Sequence, residues 1–186
     1  MKHKKILLVE DDYLDVTSVK RALSKLDVAF TLHVAHNGVD ALAMLMGSGS
    51  GAGGDEKVQP DIILLDLNMP KMNGIEFLEI IKKYYSLKNI KVWVMTTSEE
   101  LYDKAAAKRL GIAGYILKPL DFSNTAKGES ARATADLKRE LCSHEMLSLP
   151  AKLKMRSKEL EMELREFLRN KIPSFKGTSQ PGFNIA

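Results

Sequence analysis

Asp61-Ile62-Ile63-Leu64-Leu65-Asp66-Leu67-Asn68-Met69-Pro70-Lys71-Met72-Asn73-Gly74 carries an unbroken apolar run that stops on one carboxylate, Asp66, and then turns at once. An apolar run without alternation predicts a parallel strand buried on both faces. An acid at its end then stands at the mouth of an α/β sheet, where such sheets gather their ligands. Taken alone, an acid after four apolar residues is more often a plain strand end or a helix cap. Three further segments shift that balance.

Lys5-Ile6-Leu7-Leu8-Val9 stops on Glu10-Asp11-Asp12, three adjacent acids that are costly to bury unless a cation neutralises them. Val92-Trp93-Val94-Met95 ends on Thr96-Thr97-Ser98, and Gly114-Tyr115-Ile116-Leu117 ends on Lys118-Pro119. In chain order the four runs finish with acids, an acid, a hydroxyl and an ammonium. Together these groups can hold Mg2+ and a phosphoryl group. Between the runs lie helical patterns, so the chain reads as a parallel sheet covered on both faces. Val16, Val19, Leu23 and Leu26 mark a first helix, Thr31 to Ala35 a second strand and Val39 to Met46 a short helix. Ile75, Leu78 and Ile81 mark a helix after Gly74, and a further helix is expected from about Glu99 to Leu110.

These residues resemble the receiver domain of two-component response regulators over Lys4 to Asp121, most specifically in Asp66 to Gly74. The resemblance implies a flavodoxin-like, doubly wound, five-stranded parallel sheet of order 2-1-3-4-5, here with an added C-terminal helical extension. It implies that Asp66 is the phosphoacceptor and that Glu10, Asp11, Asp66 and the backbone carbonyl of Asn68 hold Mg2+. Thr96 and Lys118 would contact the phosphoryl group, with Thr96 and Tyr115 acting as the switch pair. Lys118-Pro119 would carry a cis peptide. On this reading the protein is a phosphoacceptor that assists its own Mg-dependent phosphorylation and dephosphorylation, not an enzyme with a separate substrate. Its partner would be a sensor histidine kinase. The pattern from Val9 to Asp15 with Thr96-Thr97-Ser98 is similar to small regulators paired with phytochrome-type kinases.

Other acids and histidines have plainer readings. Asp12 is expected to cap the first helix, with Asp15 in its first turn, where the helix dipole favours negative charge. His3, His33, His36 and His144 show no paired metal-ligand spacing. The loop Gly47-Ser48-Gly49-Ser50-Gly51-Ala52-Gly53-Gly54 has no side chain able to build a core, and residues 47–57 are expected to be flexible surface. It enters a strand and lacks the lysine of a phosphate-binding loop.

Composition agrees with one main domain and a smaller appendage. The 186 residues carry a formal charge of +4, with 12 Lys and Arg against 8 Asp and Glu from Asn124 onward and 16 against 16 before it. The single Cys142 excludes an internal disulfide and fits a reducing compartment. No apolar stretch approaches the roughly 20 residues of a membrane span, and Met1-Lys2-His3-Lys4-Lys5 leads too soon into acids for a signal peptide. A cytoplasmic protein is expected.

The organisation read from the sequence is a receiver over 1–123, its last helix plus a charged amphipathic extension over 124–172, and a mobile tail over 173–186. Ala133, Leu137 and Leu141 form the buried stripe of the last receiver helix, with Cys142 off it. After Pro150, Leu153, Leu160, Leu164, Phe167 and Leu168 gather on one side of a second helix, Met155 and Met162 fall nearly opposite, and Glu161 is spaced to pair with Arg165. Two readings stand side by side: packing on the receiver plus contact with a second chain, or a plain amphipathic helix with two adventitious methionines. The expected output is protein contact, with these helices serving in a homodimer or in kinase docking. The alternative is a transcriptional regulator whose basic C-terminal helical segment binds DNA. Glu159, Glu161, Glu163 and Glu166 make that segment poor material for contacting phosphates, and nucleic acid is not expected as a partner.

Overall fold

A computed structural model of the chain describes residues 3–47, 57–84, 87–97, 108–123, 128–143 and 157–171, without the side chains of 129 and 157–161. Five parallel strands, β1 (Lys4–Val9), β2 (Phe30–Ala35), β3 (Ile62–Asp66), β4 (Lys91–Thr96) and β5 (Gly114–Leu117), form one sheet of order β2-β1-β3-β4-β5. The described helices are α1 (Tyr13–Ser24), α2 (Gly38–Met46), α3 (Gly74–Lys83), α4 (Glu129–Cys142) and α5 (Ser157–Lys171). The flavodoxin-like order expected from the sequence is therefore the observed one.

Successive strand residues point to opposite faces, and the core divides accordingly. Leu7, Val9, Ile63, Leu65, Val92 and Val94 pack with α2 and α3. Ile6, Leu8, Ile62, Leu64, Trp93 and Met95 pack with α1 and with Ala133, Leu137 and Leu141 of α4, the stripe that the four-residue spacing predicts. Burial on both faces explains why β3 shows no polar alternation. α3 buries Leu78 and Ile81 as expected, and also Phe77, which the sequence reading passed over; Ile75 is only partly covered.

α5 does not continue the layer of α4. Its Leu164 and Leu168 are buried in the cluster of α2 and α3, on the other face of the sheet. Arg165 Nη2 donates to the backbone carbonyl of Met46 at 3.3 Å, at the last turn of α2, while the side chain of Glu161, its expected partner, lies outside the described residues. A cation there meets the unsatisfied carbonyls of a helix end. Met162 is 62% exposed, on the side of α5 away from the buried leucines, as its spacing predicts. The loop from 48 to 56, residues 99–107 of the helix expected from Glu99 to Leu110, the stretch 144–156 with Pro150, and the tail from 172 lie outside the described residues.

Two helix caps position the carboxyl edge of the sheet. Asp12 caps α1, its Oδ1 accepting from the backbone N–H groups of Leu14 (2.7 Å) and Asp15 (3.1 Å). Asn73 and Glu76 form a reciprocal capping box at α3, with bonds of 2.9 and 3.0 Å. Gly74 is required here: a Cβ on it would overlap the Asp66 carbonyl oxygen and come within 2.8 Å of Leu67 Cα. α3 can thus start directly against the end of β3, and the Gly74 N–H bonds to Leu67 O at 2.9 Å. Between them Lys71 adopts φ +66°, with Met72 N–H donating to Pro70 O at 2.8 Å, a tight turn around a non-glycine residue.

Candidate functional site

Asp66 is the last residue of β3 and Thr96 the last of β4, while Glu10 and Lys118 each follow directly on β1 and β5. Parallel register puts all four at the carboxyl edge: Asp66 lies opposite Met95, and Thr96 opposite Leu117. The Lys118 N–H donates to Thr96 O at 2.9 Å, extending the β4–β5 ladder to the residue that carries the ammonium. The Leu117 N–H donates to Ser130 Oγ at 2.9 Å, fixing the end of β5 to the first turn of α4. The Lys118-Pro119 peptide is cis.

Glu10, Asp11 and Asp66 each offer a carboxylate oxygen, all within 4.8 Å of one another. Glu10 and Asp66 are buried and Asp11 is exposed. Burial raises both buried carboxyls above their ordinary values of 4.5 and 3.8. The nearby Lys118 ammonium opposes that rise for each, and the backbone N–H groups of Leu67 and Asn68 oppose it for Asp66. Three clustered carboxylates, two of them desolvated, match the hard oxygen donors that Mg2+ prefers. The residues present therefore fit a divalent cation.

Lys118 closes the site. Its side chain is only 8% exposed, and Nζ stands 2.6 Å from Glu10 Oε2, 2.8 Å from Asp15 Oδ2 and 3.3 Å from Asp66 Oδ1. Burial would favour the neutral amine. The hydrogen bond to Asp15 and the nearby charges of Glu10 and Asp66 outweigh it, and the ammonium is held well above the usual lysine range. Of the three contacts, the one to Asp66 is the longest.

Asp15 is the group that the sequence reading underrated. It does lie in the first turn of α1, but its carboxylate also accepts from Lys118, 103 positions away in the chain. In the sheet β5 is separated from β1 by β3 and β4. Only the long lysine stem bridges that gap, so adjacency of strands could not reveal the pair. Thr96 is buried beside this edge, and Tyr115, paired with Val94, is half-buried against the cluster that includes α2 and α3.

Residues 6–127 match the response regulator receiver domain family. Response regulator Rcp1 of Synechocystis is 36% identical over 124 residues, 67% of this chain and 82% of that protein. The Mn2+-bound form of Rcp1 superimposes with a TM-score of 0.61 at 32% identity, covering 80% of this chain and 99% of that one. The phosphorylated cyanobacterial phytochrome response regulator RcpA gives a TM-score of 0.62 at 32% identity, covering 78% of this chain and 98% of that one. The nitrate/nitrite response regulator NarL of Escherichia coli is 30% identical over 71% of this chain, which spans only 56% of NarL.

Proposed function

The chain belongs to the response regulator receiver domain family, and from that premise we propose that it accepts a phosphoryl group on Asp66 from the phosphohistidine of a sensor histidine kinase. The observation that carries this reading is the meeting of Asp66, Glu10 and Asp11 within 4.8 Å under the Lys118 ammonium. An Asp66 carboxylate oxygen attacks phosphorus, the P–N bond breaks, and the histidine nitrogen leaves with its electron pair. Phosphoryl transfer asks the protein chiefly for alignment and for compensation of oxygen charge. Glu10, Asp11, Asp66 and the Asn68 carbonyl would hold Mg2+, which when bound offsets negative charge on the phosphoryl oxygens and on the acids themselves.

Lys118 would shift from Asp66 to a phosphoryl oxygen, and the Thr96 hydroxyl would donate to another. Inward movement of Thr96 leaves space for Tyr115 to turn, changing the surface beside β5 and α4. Phosphorylation then acts as a local charge event that biases a two-state surface. The likeness to RcpA, a cyanobacterial phytochrome response regulator, supports a phytochrome-type kinase as the partner. We favour protein contact as output, because the described part of α5 docks by its leucines and leaves Glu163 and Glu166 exposed, a poor surface for nucleic acid.

Intact mass after incubation with acetyl phosphate and Mg2+ tests the reading. One added phosphoryl group on the wild type and none on Asp66→Asn is expected; equal labelling of both proteins would move the acceptor elsewhere. Light scattering on the same samples separates the outputs, since a larger particle after labelling indicates a homodimer and an unchanged one a different protein partner.

A further inference from the structure

We infer that Asp15 is a positioning residue for Lys118, holding the ammonium when Glu10 and Asp66 are engaged by a divalent cation. The inference rests on the metal reading proposed above. Lys118 Nζ lies at ion-pair distance from three carboxylates, Glu10 at 2.6 Å, Asp15 at 2.8 Å and Asp66 at 3.3 Å, and it donates a hydrogen bond to Asp15. Two of those three belong to the cluster able to hold a cation, and Asp15 does not. A cation entering that cluster takes charge from Glu10 and Asp66 and also repels the ammonium. With its side chain 8% exposed, Lys118 cannot exchange these contacts freely for water. Asp15 remains as a carboxylate partner outside the cluster.

The position of Asp15 suits this task. Its own N–H is held by the Asp12 side chain at 3.1 Å, so the first turn of α1 fixes its backbone. Its side chain is 31% exposed, against 1% for Glu10 and 9% for Asp66, so it is less enclosed than the two cluster acids. Lys118 thereby has a resting place on the α1 side of the site, close enough to return to a phosphoryl oxygen on Asp66. Without Asp15 the ammonium falls back on Glu10 and Asp66 and competes with the cation for them.

A double-mutant cycle read by calorimetric titration of Mg2+ into the full chain, with no phosphodonor present, tests this. Asp15→Asn is expected to weaken Mg2+ binding by about fivefold, on the scale typical of coupled neighbouring charges. Lys118→Met removes the competing cation and tightens binding, and Asp15→Asn added to Lys118→Met changes the affinity by less than about twofold. An equal loss from Asp15→Asn in both backgrounds would mean that Asp15 acts on the cation directly and would overturn the inference. So would no effect in either background, which leaves Asp15 only its place at the helix start. Failure of the wild type to bind Mg2+ would overturn the metal reading itself, and this inference with it.

Discussion

Two cationic side chains, Lys118 and Arg165, stand at places that treat them in opposite ways. At the carboxyl edge of the sheet, Lys118 is crowded by Glu10, Asp15 and Asp66, with Asp11 beside them. Where α5 meets the last turn of α2, Arg165 gives one bond to the Met46 carbonyl, and its Nη1 is buried with no hydrogen-bond partner among the described residues. The first place has more anionic charge than its cation can neutralise, and so can admit further positive charge. Among the described residues the second offers Arg165 one acceptor, and Leu164 and Leu168 bury the apolar side of the attachment. Surplus charge marks a site built to exchange partners, whereas a single bond within apolar contact marks a static attachment.

If that contrast is right, removing each cation has different consequences. In metal-free buffer Lys118→Met should destabilise the chain by about 3 kcal/mol, the order expected when buried acids lose their counterion. Mg2+ should restore more stability to this variant than it adds to the wild type. Urea denaturation with and without Mg2+ measures both, and a metal-free stability equal to wild type would remove the distinction. Leu168→Ala, which empties a fully buried position of α5, should cost about 2 kcal/mol, at the low end for such truncations because α5 can loosen without the sheet unfolding. Its Mg2+ affinity should be unchanged; a loss of affinity would couple the two regions. Arg165→Met should cost only about 1 kcal/mol, since one bond to a helix end is lost while the apolar stem is kept. That cost should be the same with Mg2+ and without it.

The smallest effect is the pH dependence of the metal-free protein. Glu10 and Asp66 titrate above their ordinary values in the folded chain, so the folded state holds more protons than the unfolded one over that interval. Their contribution to stability is therefore full below the unfolded values and is lost as pH rises through the folded ones. Metal-free stability should fall as pH rises through that interval, and Mg2+ affinity should rise over it as protons cease to compete. Unfolding curves and Mg2+ titrations at stepped pH check the pair of signs; affinity that rises on acidification would contradict them.

Much of the fold was legible because its signals are local. Ile62 to Leu65 had to be a buried strand, Asp12 a cap, and Ala133, Leu137 and Leu141 one stripe, since each follows from spacing along a few residues. Asp66, Glu10, Asp11, Thr96 and Lys118 could be drawn together because parallel strands deliver their last residues to one edge. What escaped depends on distant partners. An apolar stripe on α5 shows that a face is buried but not against what, and its attachment to α2 rather than beside α4 comes from the three-dimensional path. The left-handed turn at Lys71 carries no glycine to announce it. Asp15 has an adequate local reason for its position, and that reason concealed its second partner, Lys118.

Reductive mapping of the labelled residue would decide the phosphoacceptor. Borohydride converts an aspartyl phosphate to homoserine, so peptide mass spectrometry after acetyl phosphate and Mg2+ treatment reads the acceptor position itself. Homoserine at position 66 and at no other aspartate is the predicted result. Homoserine elsewhere with Asp66 unchanged would contradict it.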